Sequence, residues 1–230
     1  MEVPSPLIVS YLMFSLPTTP LPRENWLLAT LFVVHYSYRA VLAPLVLNPY
    51  MSPIHISVIF AALAFNIANA LSIGGWLAGY GPTTAADWAG RAPYVQLGVV
   101  IWAAGFIGNV LHDDELREIR RAAKREQREK QKEGEQNGEK KNNDEAVGKV
   151  YKLPESMLFE LVLYPHFLCE WVEWAGFWLI GGLAFVPARN FLFNEIATMT
   201  PRAVTGRGWY LKTFGREKVG KRKAVIPGIL

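Results

Sequence analysis

Cysteine is almost missing from this chain. Of 230 residues only Cys169 is one, so no disulfide can form within a single copy and nothing points to an oxidising compartment. Motifs of soluble cofactor enzymes are missing too. Neither GxGxxG nor GxxxxGK[ST] occurs, which excludes the familiar soluble phosphate-cradling loops. No HExxH or CxxC supplies metal-ligand spacing. His166 and Glu170 stand at i and i+4 but have no second histidine near them, so no metal is expected. No GxSxG marks an acyl-transfer serine, and no nucleic-acid partner is expected. The opening residues "MEVPSPLIVSYLMFSLP" lack the basic stretch that begins a signal peptide and read as a short membrane segment.

Apolar sequence is what the chain has. Half of it is hydrophobic, gathered into runs near the ~20 residues that span a bilayer as a helix. These are "NWLLATLFVVHYSYRAVLAPLVL" (25–47), "IHISVIFAALAFNIANALSIGGWLAGY" (54–80), "YVQLGVVIWAAGFIGNVL" (94–111), "LFELVLYPHFLCEWVEWAGFWLIGGLAF" (158–185) and a weaker "NFLFNEIATM" (190–199). A soluble bundle would need a large core to hide them all. The expected fold is an all-α, polytopic transmembrane bundle of about six spans, with the lipid bilayer as its surroundings.

Cations are placed unevenly. Twelve of the 24 Lys and Arg lie between Arg117 and Lys152, and eight between Arg202 and Lys223. Short basic segments stay cytosolic, so both blocks, and the C-terminus with them, are expected on the cytosolic side. Two spans then fit between the blocks, with their turn near "VPARN" (186–190) on the far side. The segment 122–149 has no aromatic residue and mixes acids with bases. Its first part, through about Lys132, suits a helix extended into water, and its middle is expected to be disordered. The implied division is 1–121, N-terminal transmembrane helices on the substrate side; 122–149, a charged cytosolic insertion; and 150–230, a C-terminal domain with two spans and a basic tail.

Polar groups inside the spans are the candidate functional residues. They include "HYSYR" (35–39), Asn66 and Asn69, then Asn109, His112 and Asp113, then Asn194 and Glu195. Within the run 158–185 stand Glu160, His166, Glu170 and Glu173. The last three fall at i, i+4 and i+7, one helix face. Two uses of these carboxylates fit the spacing equally. They lock the bundle by pairing with Arg120 or Arg202, or they face a cavity that holds a polar ligand. Arg117, Arg120, Arg121, Arg202 and Arg207 lie near the cytosolic boundary, where guanidinium groups suit phosphate.

Four stretches carry a family resemblance: "GNVLHDDELREIR" (108–120), "VYKLP" (150–154), "LFELVLYPHFLCEWVEW" (158–174) and "PRAVTGRGWYLKTF…GKRKAVIPGIL" (201–230). They resemble the C-terminal domain of the steroid 5-alpha-reductases. The likeness reaches upstream through "VHYSYR" (34–39) to "MEVPSP" (1–6), similar to that family's Glu-Leu-Pro-Ser-Phe segment. It covers nearly the whole chain apart from 122–149, and suits a fungal-type member. The family usually has a span before that segment, so a bundle lacking its first span, from a truncated chain, is expected.

The resemblance implies a multi-pass endoplasmic reticulum enzyme of steroid and lipid metabolism. It would reduce the carbon–carbon double bond of a 3-oxo-Δ4-steroid, or a similar lipid enone, with NADPH. Glu2 and Tyr36 match the pair that holds the ketone oxygen. Asn109, Asp113, Arg120, Tyr151, Glu170, Trp174, Arg202 and Tyr210 match positions lining the NADPH cavity, and Arg39 and Glu173 match supporting ones. His166 stands where the family has Asn or His and is counted with the cofactor group. One departure is "TGRG" (205–208), where the family often has a His-rich run. Other readings share these motifs in part: a polyprenol or enoyl-thioester reductase, and a membrane methyltransferase of the isoprenylcysteine type that would bind S-adenosylmethionine.

Overall fold

The computed structural model describes residues 1–48, 54–136 and 151–230. Among the described residues there are six α-helices, two of them continued by π-helical turns, and no β-strand, only one parallel bridge between Val162 and Lys223. The all-α class is therefore as expected. Three helical segments, Arg23–Leu47, Ile56–Tyr80 and Ala92–Ala123, are long and apolar enough to cross a membrane by length and composition. They correspond to the first three long runs of the sequence. The part of the insertion at 137–149 lies outside the described residues.

The described residues pack as two compact units. One comprises Met1–Ile107 and Cys169–Met199, the other Gly108–Leu168 and Thr200–Leu230.

In the first unit, α1 (Pro4–Ser15) starts at a proline, whose fixed φ and missing N–H cost nothing in a first turn. Helix α2 (Arg23–Ser37) continues as a π-helical stretch, Tyr38–Leu47, that contains Pro44. The wider register accommodates a residue that has no N–H to donate. Helix α3 (Ile56–Gly75) likewise ends in a π-helical turn, Trp76–Tyr80. Buried amides tie these helices. The Ser5 hydroxyl donates to Asn66 Oδ1 at 3.2 Å. Asn25, fully buried, donates to the carbonyls of Leu77 (2.7 Å) and Pro82 (2.8 Å) and accepts from Trp88 Nε1 at 2.9 Å. Every polar group on that side chain is thus satisfied, which is what makes its burial affordable.

Helix α4 begins at Ala92 and runs to Gln136, a little past the Lys132 expected from composition. Its early part meets α5 (Pro165–Gly181) through glycines. A Cβ on Gly98 would sit 2.5 Å from the Ile180 side chain. One on Gly105 would collide with the backbone of Glu173 and Cys169, and one on Gly176 would lie 2.5 Å from the Trp102 nitrogen. Small residues let two apolar helices touch backbone to backbone, the packing that works without a hydrophobic driving force. Arg91 closes the end of α5, donating from Nη2 to the Ile180 carbonyl at 3.3 Å.

One expectation is corrected. The run 158–185 is not a single span. Met157–Glu160 form a 3₁₀ turn, Val162 bridges to Lys223, and α5 begins only at Pro165. Proline at a first helical position disfavours helix in the residue before it. The preceding stretch therefore runs extended: Leu163 N–H donates to the Lys223 carbonyl and Tyr164 N–H to that of Ala224, both at 2.9 Å. Glu160 accordingly lies outside the α5 helix.

Helix α6 (Val186–Val219) belongs to the first unit as far as Met199; its remainder, in the second, passes through Pro201 and breaks at Gly215, whose φ of 83° only glycine adopts freely. The C-terminal tail is pinned by arginines. Arg207 Nε donates to the Arg222 carbonyl (2.9 Å) and Arg222 Nη1 to that of Pro154 (3.1 Å). His112, buried, makes a second staple. Its Nδ1 lies 2.6 Å from the Gly108 carbonyl, and its Nε2 takes the Leu158 N–H at 3.3 Å, which sets the proton on Nδ1.

Candidate functional site

Two clusters of polar groups stand out, one in each unit. The first is built on α2 and α5. His35, Tyr36 and Arg39 lie on adjoining turns of α2 and its π-helical continuation, and Glu170, Glu173 and Trp174 lie on α5. Arg39 Nη1 donates to Glu170 Oε2 at 2.8 Å, and Arg39 Nη2 stands 3.7 Å from Glu2 Oε1. The other oxygen of Glu170 is 3.9 Å from His35 Nε2. His35 Nδ1 meets Glu173 Oε1 at 2.7 Å. A continuous string of charge and hydrogen bonding therefore runs Glu2–Arg39–Glu170–His35–Glu173. Its inner members are nearly sealed: His35, Glu170 and Glu173 are 3%, 3% and 0% exposed. The sequence left Arg120 and Arg202 open as partners for these carboxylates; the partners found are Arg39 and His35.

Tyr36 sits beside this string, 3% exposed. Its ring packs on Phe32 (4.6 Å between centroids), His35 (5.1 Å) and Trp174 (6.3 Å). Its hydroxyl makes no hydrogen bond among the described residues. The charges that act on that phenol are, in order, Glu2, Glu195, Arg39 and Glu170. Two buried polar atoms nearby lack a partner, the donor Trp174 Nε1 and the acceptor Glu173 Oε2. An unsatisfied buried polar atom costs about 1–3 kcal/mol, so two of them beside an unbonded phenol hydroxyl is an arrangement kept for something other than stability.

The second cluster belongs to the other unit. Asn109, 3% exposed, donates from Nδ2 to the His166 carbonyl at 3.3 Å. Tyr164 packs between the His166 ring (5.7 Å) and the Tyr210 ring (6.2 Å), and Tyr151 stacks edge-on against Trp209 (4.8 Å), itself 5.1 Å from Tyr210. The Arg120 charge acts on Tyr210 and the Arg202 charge on Tyr164. Burial is the larger influence on Tyr210 and pushes its phenol up to about 12. Neither Arg120 nor Arg202 has a carboxylate partner among the described residues. The departure at "TGRG" has a local cause. The Tyr164 hydroxyl occupies the space a side chain on Gly206 would fill, and Arg207 is committed to the tail.

Of the residues singled out from sequence, Glu2, Tyr36, Glu170 and Trp174 thus gather in the first cluster, with Arg39 and Glu173. Asn109, His166, Arg120, Tyr151, Arg202 and Tyr210 gather in the second. Asp113 joins neither by a hydrogen bond or ion pair among the described residues. His35 and Glu195 were among the polar candidates of the spans but had no role assigned, although His35 precedes Tyr36 and stands at i, i+4 to Arg39. Tyr164 and Trp209 were not singled out and had no local signal.

Comparison with known proteins places the chain. The family model described as 3-oxo-5-alpha-steroid 4-dehydrogenase matches residues 139–230. An uncharacterized protein of Schizosaccharomyces pombe is 32% identical over 205 residues, 88% of this chain and 67% of that protein. Steroid 5-alpha-reductase DET2 of Solanum lycopersicum is 30% identical over 212 residues, 88% of this chain and 68% of that protein. The human 3-oxo-5-alpha-steroid 4-dehydrogenase 1 is 26% identical over 207 residues, 88% of this chain and 67% of that protein. The chain thus spans about two thirds of the length of these relatives, and on that likeness it belongs to the steroid 5-alpha-reductase family.

Proposed function

We propose that the protein is an NADPH-dependent oxidoreductase of the endoplasmic reticulum membrane that reduces the carbon–carbon double bond of a 3-oxo-Δ4-steroid or similar lipid enone. The observation that carries this reading is the Tyr36 hydroxyl, buried and without a hydrogen-bond partner among the described residues. A phenol held that way is a donor waiting for an acceptor. In an enone that acceptor is the ketone oxygen, on which negative charge grows as the β-carbon is reduced. A fixed donor aimed at such an oxygen supplies the largest single electrostatic contribution to this kind of step. Glu2, held by Arg39, is the neighbouring carboxyl and completes the polarising pair.

The residues suit a nicotinamide dinucleotide by their chemistry. Arg120 and Arg202 are guanidinium groups left without carboxylates, the type that takes phosphate. Tyr151 and Tyr210 offer aromatic faces, and Asn109, Asp113 and His166 offer polar edges. Taken by itself, the first unit has in the donor Trp174 Nε1 and the acceptor Glu173 Oε2 a pair of the kind a carboxamide satisfies. When bound, NADPH supplies the hydride. The protein's part is to orient the enone against Tyr36 and to keep water from the oxygen it polarises. A polyprenol or a methyl-transfer substrate offers no conjugated carbonyl oxygen for Tyr36; an enoyl thioester does, and turnover of the steroid against turnover of an enoyl thioester separates those two.

The test is NADPH oxidation by membranes carrying the protein, offered a 3-oxo-Δ4-steroid, with Tyr36→Phe as the control. Turnover to a 5α-reduced product should fall by about 10²–10³ in the control, the usual cost of removing one such donor, while NADPH affinity stays the same. Equal turnover by Tyr36→Phe overturns the assignment of Tyr36. Protection from thermal unfolding by S-adenosylmethionine and not by NADPH overturns the reductase reading.

A further inference from the structure

We infer that the first unit carries a phospholipid site at the junction of α4 and α5. A cavity of about 550 Å³ opens there, floored by Ile101, Ala175, Leu179 and Leu183 and rimmed by Arg91, Tyr94 and Trp178. Leu183 is 83% exposed, and Tyr94 presents much of its ring. An apolar trough of this kind takes an acyl chain.

The rim decides which lipid. Arg91 immediately precedes the apolar segment Ala92–Ala123, the depth at which headgroups lie. Its guanidinium lies against Gly182, 5.0 Å from the Trp88 ring, and spends one N–H on the Ile180 carbonyl. Four donors remain. No carboxylate neutralises it among the described residues, and Asp87 is committed to Thr83 and Thr84. Trp178 Nε1 is buried in the same wall without a partner. The rim therefore carries several open donors and one positive charge beside an apolar floor. Its complement is an anionic acceptor attached to an acyl chain, the phosphodiester of a glycerophospholipid. A steroid enone lacks the anion, and a diacylglycerol lacks the phosphate.

The test uses the whole protein, delipidated in detergent. Native mass spectrometry and thermal unfolding are followed with phosphatidylcholine, with a diacylglycerol of the same chains, and with inorganic phosphate. One phosphatidylcholine should be retained and should raise the unfolding midpoint, whereas diacylglycerol and inorganic phosphate should do neither. Arg91→Gln should weaken retention about tenfold, the worth of a charge-assisted hydrogen bond. Because that variant also uncaps α5, Leu183→Glu serves as a second probe, placing a carboxylate on an exposed part of the floor. It should abolish retention without lowering the midpoint of the lipid-free protein. Equal retention of diacylglycerol, displacement of the lipid by inorganic phosphate, or wild-type retention in both variants would overturn the site.

Discussion

The pair Arg39–Glu170 is the most testable part of the buried string. The Glu170 side chain is 4% exposed and takes Arg39 at 2.8 Å. Removing the guanidinium leaves a carboxylate in a nearly dry site. Breaking a buried pair from one side costs about 3–5 kcal/mol. Arg39 is 30% exposed, so water can replace part of what is lost, and Arg39→Met should cost ~3 kcal/mol. For a chain of this size that lowers Tm by roughly 6–12 °C. Adding Glu170→Gln removes the charge that Arg39→Met strands. The double variant should therefore be more stable than the sum of the singles by ~2 kcal/mol. Glu2 provides the internal contrast. Its contact with Arg39 is 3.7 Å and 32% exposed, so Glu2→Gln should cost under ~1 kcal/mol. The assay is thermal unfolding in detergent, read by far-ultraviolet circular dichroism. Additive singles would refute the reasoning, because they would mean that Glu170 is hydrated or held without Arg39.

Gly105→Ala should destabilise by about 1–3 kcal/mol, the cost of overpacking, since its methyl would strike the backbone of Glu173 and Cys169; an unchanged unfolding midpoint would exclude that close approach. Gly206→Ala should be destabilising for a different reason, displacement of the Tyr164 hydroxyl, and Tyr164→Phe in the same chain should recover part of the loss; no recovery would refute the contact. The Tyr210 phenol, pushed up to about 12 by burial, lies beyond the apolar segment 190–199. Its folded value is above the unfolded one near 10, so its contribution is complete below pH 10 and is lost as pH rises toward 12. Tyr210→Phe should flatten stability across that window and leave it alone below, as measured by denaturant unfolding.

The sequence was a good guide where the signal is local. The three long apolar runs became the three helices able to cross a membrane, because length and apolarity decide that property within one segment. The helical extension past residue 122 was legible from its helix-forming residues. The run 158–185 was misjudged because hydropathy does not register Pro165 or the pairing of Val162–Tyr164 with residues some sixty positions away. The same limit applies to the site. The spacing of Glu170 and Glu173 put both on one helix face, but their partners, Arg39 and His35, are 131 and 138 residues distant. The aromatic wall of Tyr164 and Trp209 depends on tertiary packing and has no local sign.

The balance of charge around Tyr36 bears on how the proposed reaction would run. Three acids, Glu2, Glu195 and Glu170, act on its phenol against one cation, Arg39. An oxyanion beside that phenol would meet more repulsion than attraction if all three acids were ionised. A full enolate is therefore a poor intermediate here, and the charge must be quenched by a proton as it forms. On the proposed reading Tyr36 gives its proton to the ketone oxygen, yielding the enol. The enol then becomes the saturated ketone by taking a proton from water at the α-carbon and returning the one on oxygen to Tyr36. Glu2, the carboxylate paired with Arg39, positions Tyr36 and does not supply the proton. Glu2→Gln keeps hydrogen-bonding atoms at that place and should leave kcat and the KM for the steroid little changed, whereas Tyr36→Phe loses turnover. A kcat lowered ~10²-fold with KM unchanged would make Glu2 the proton donor and refute this assignment.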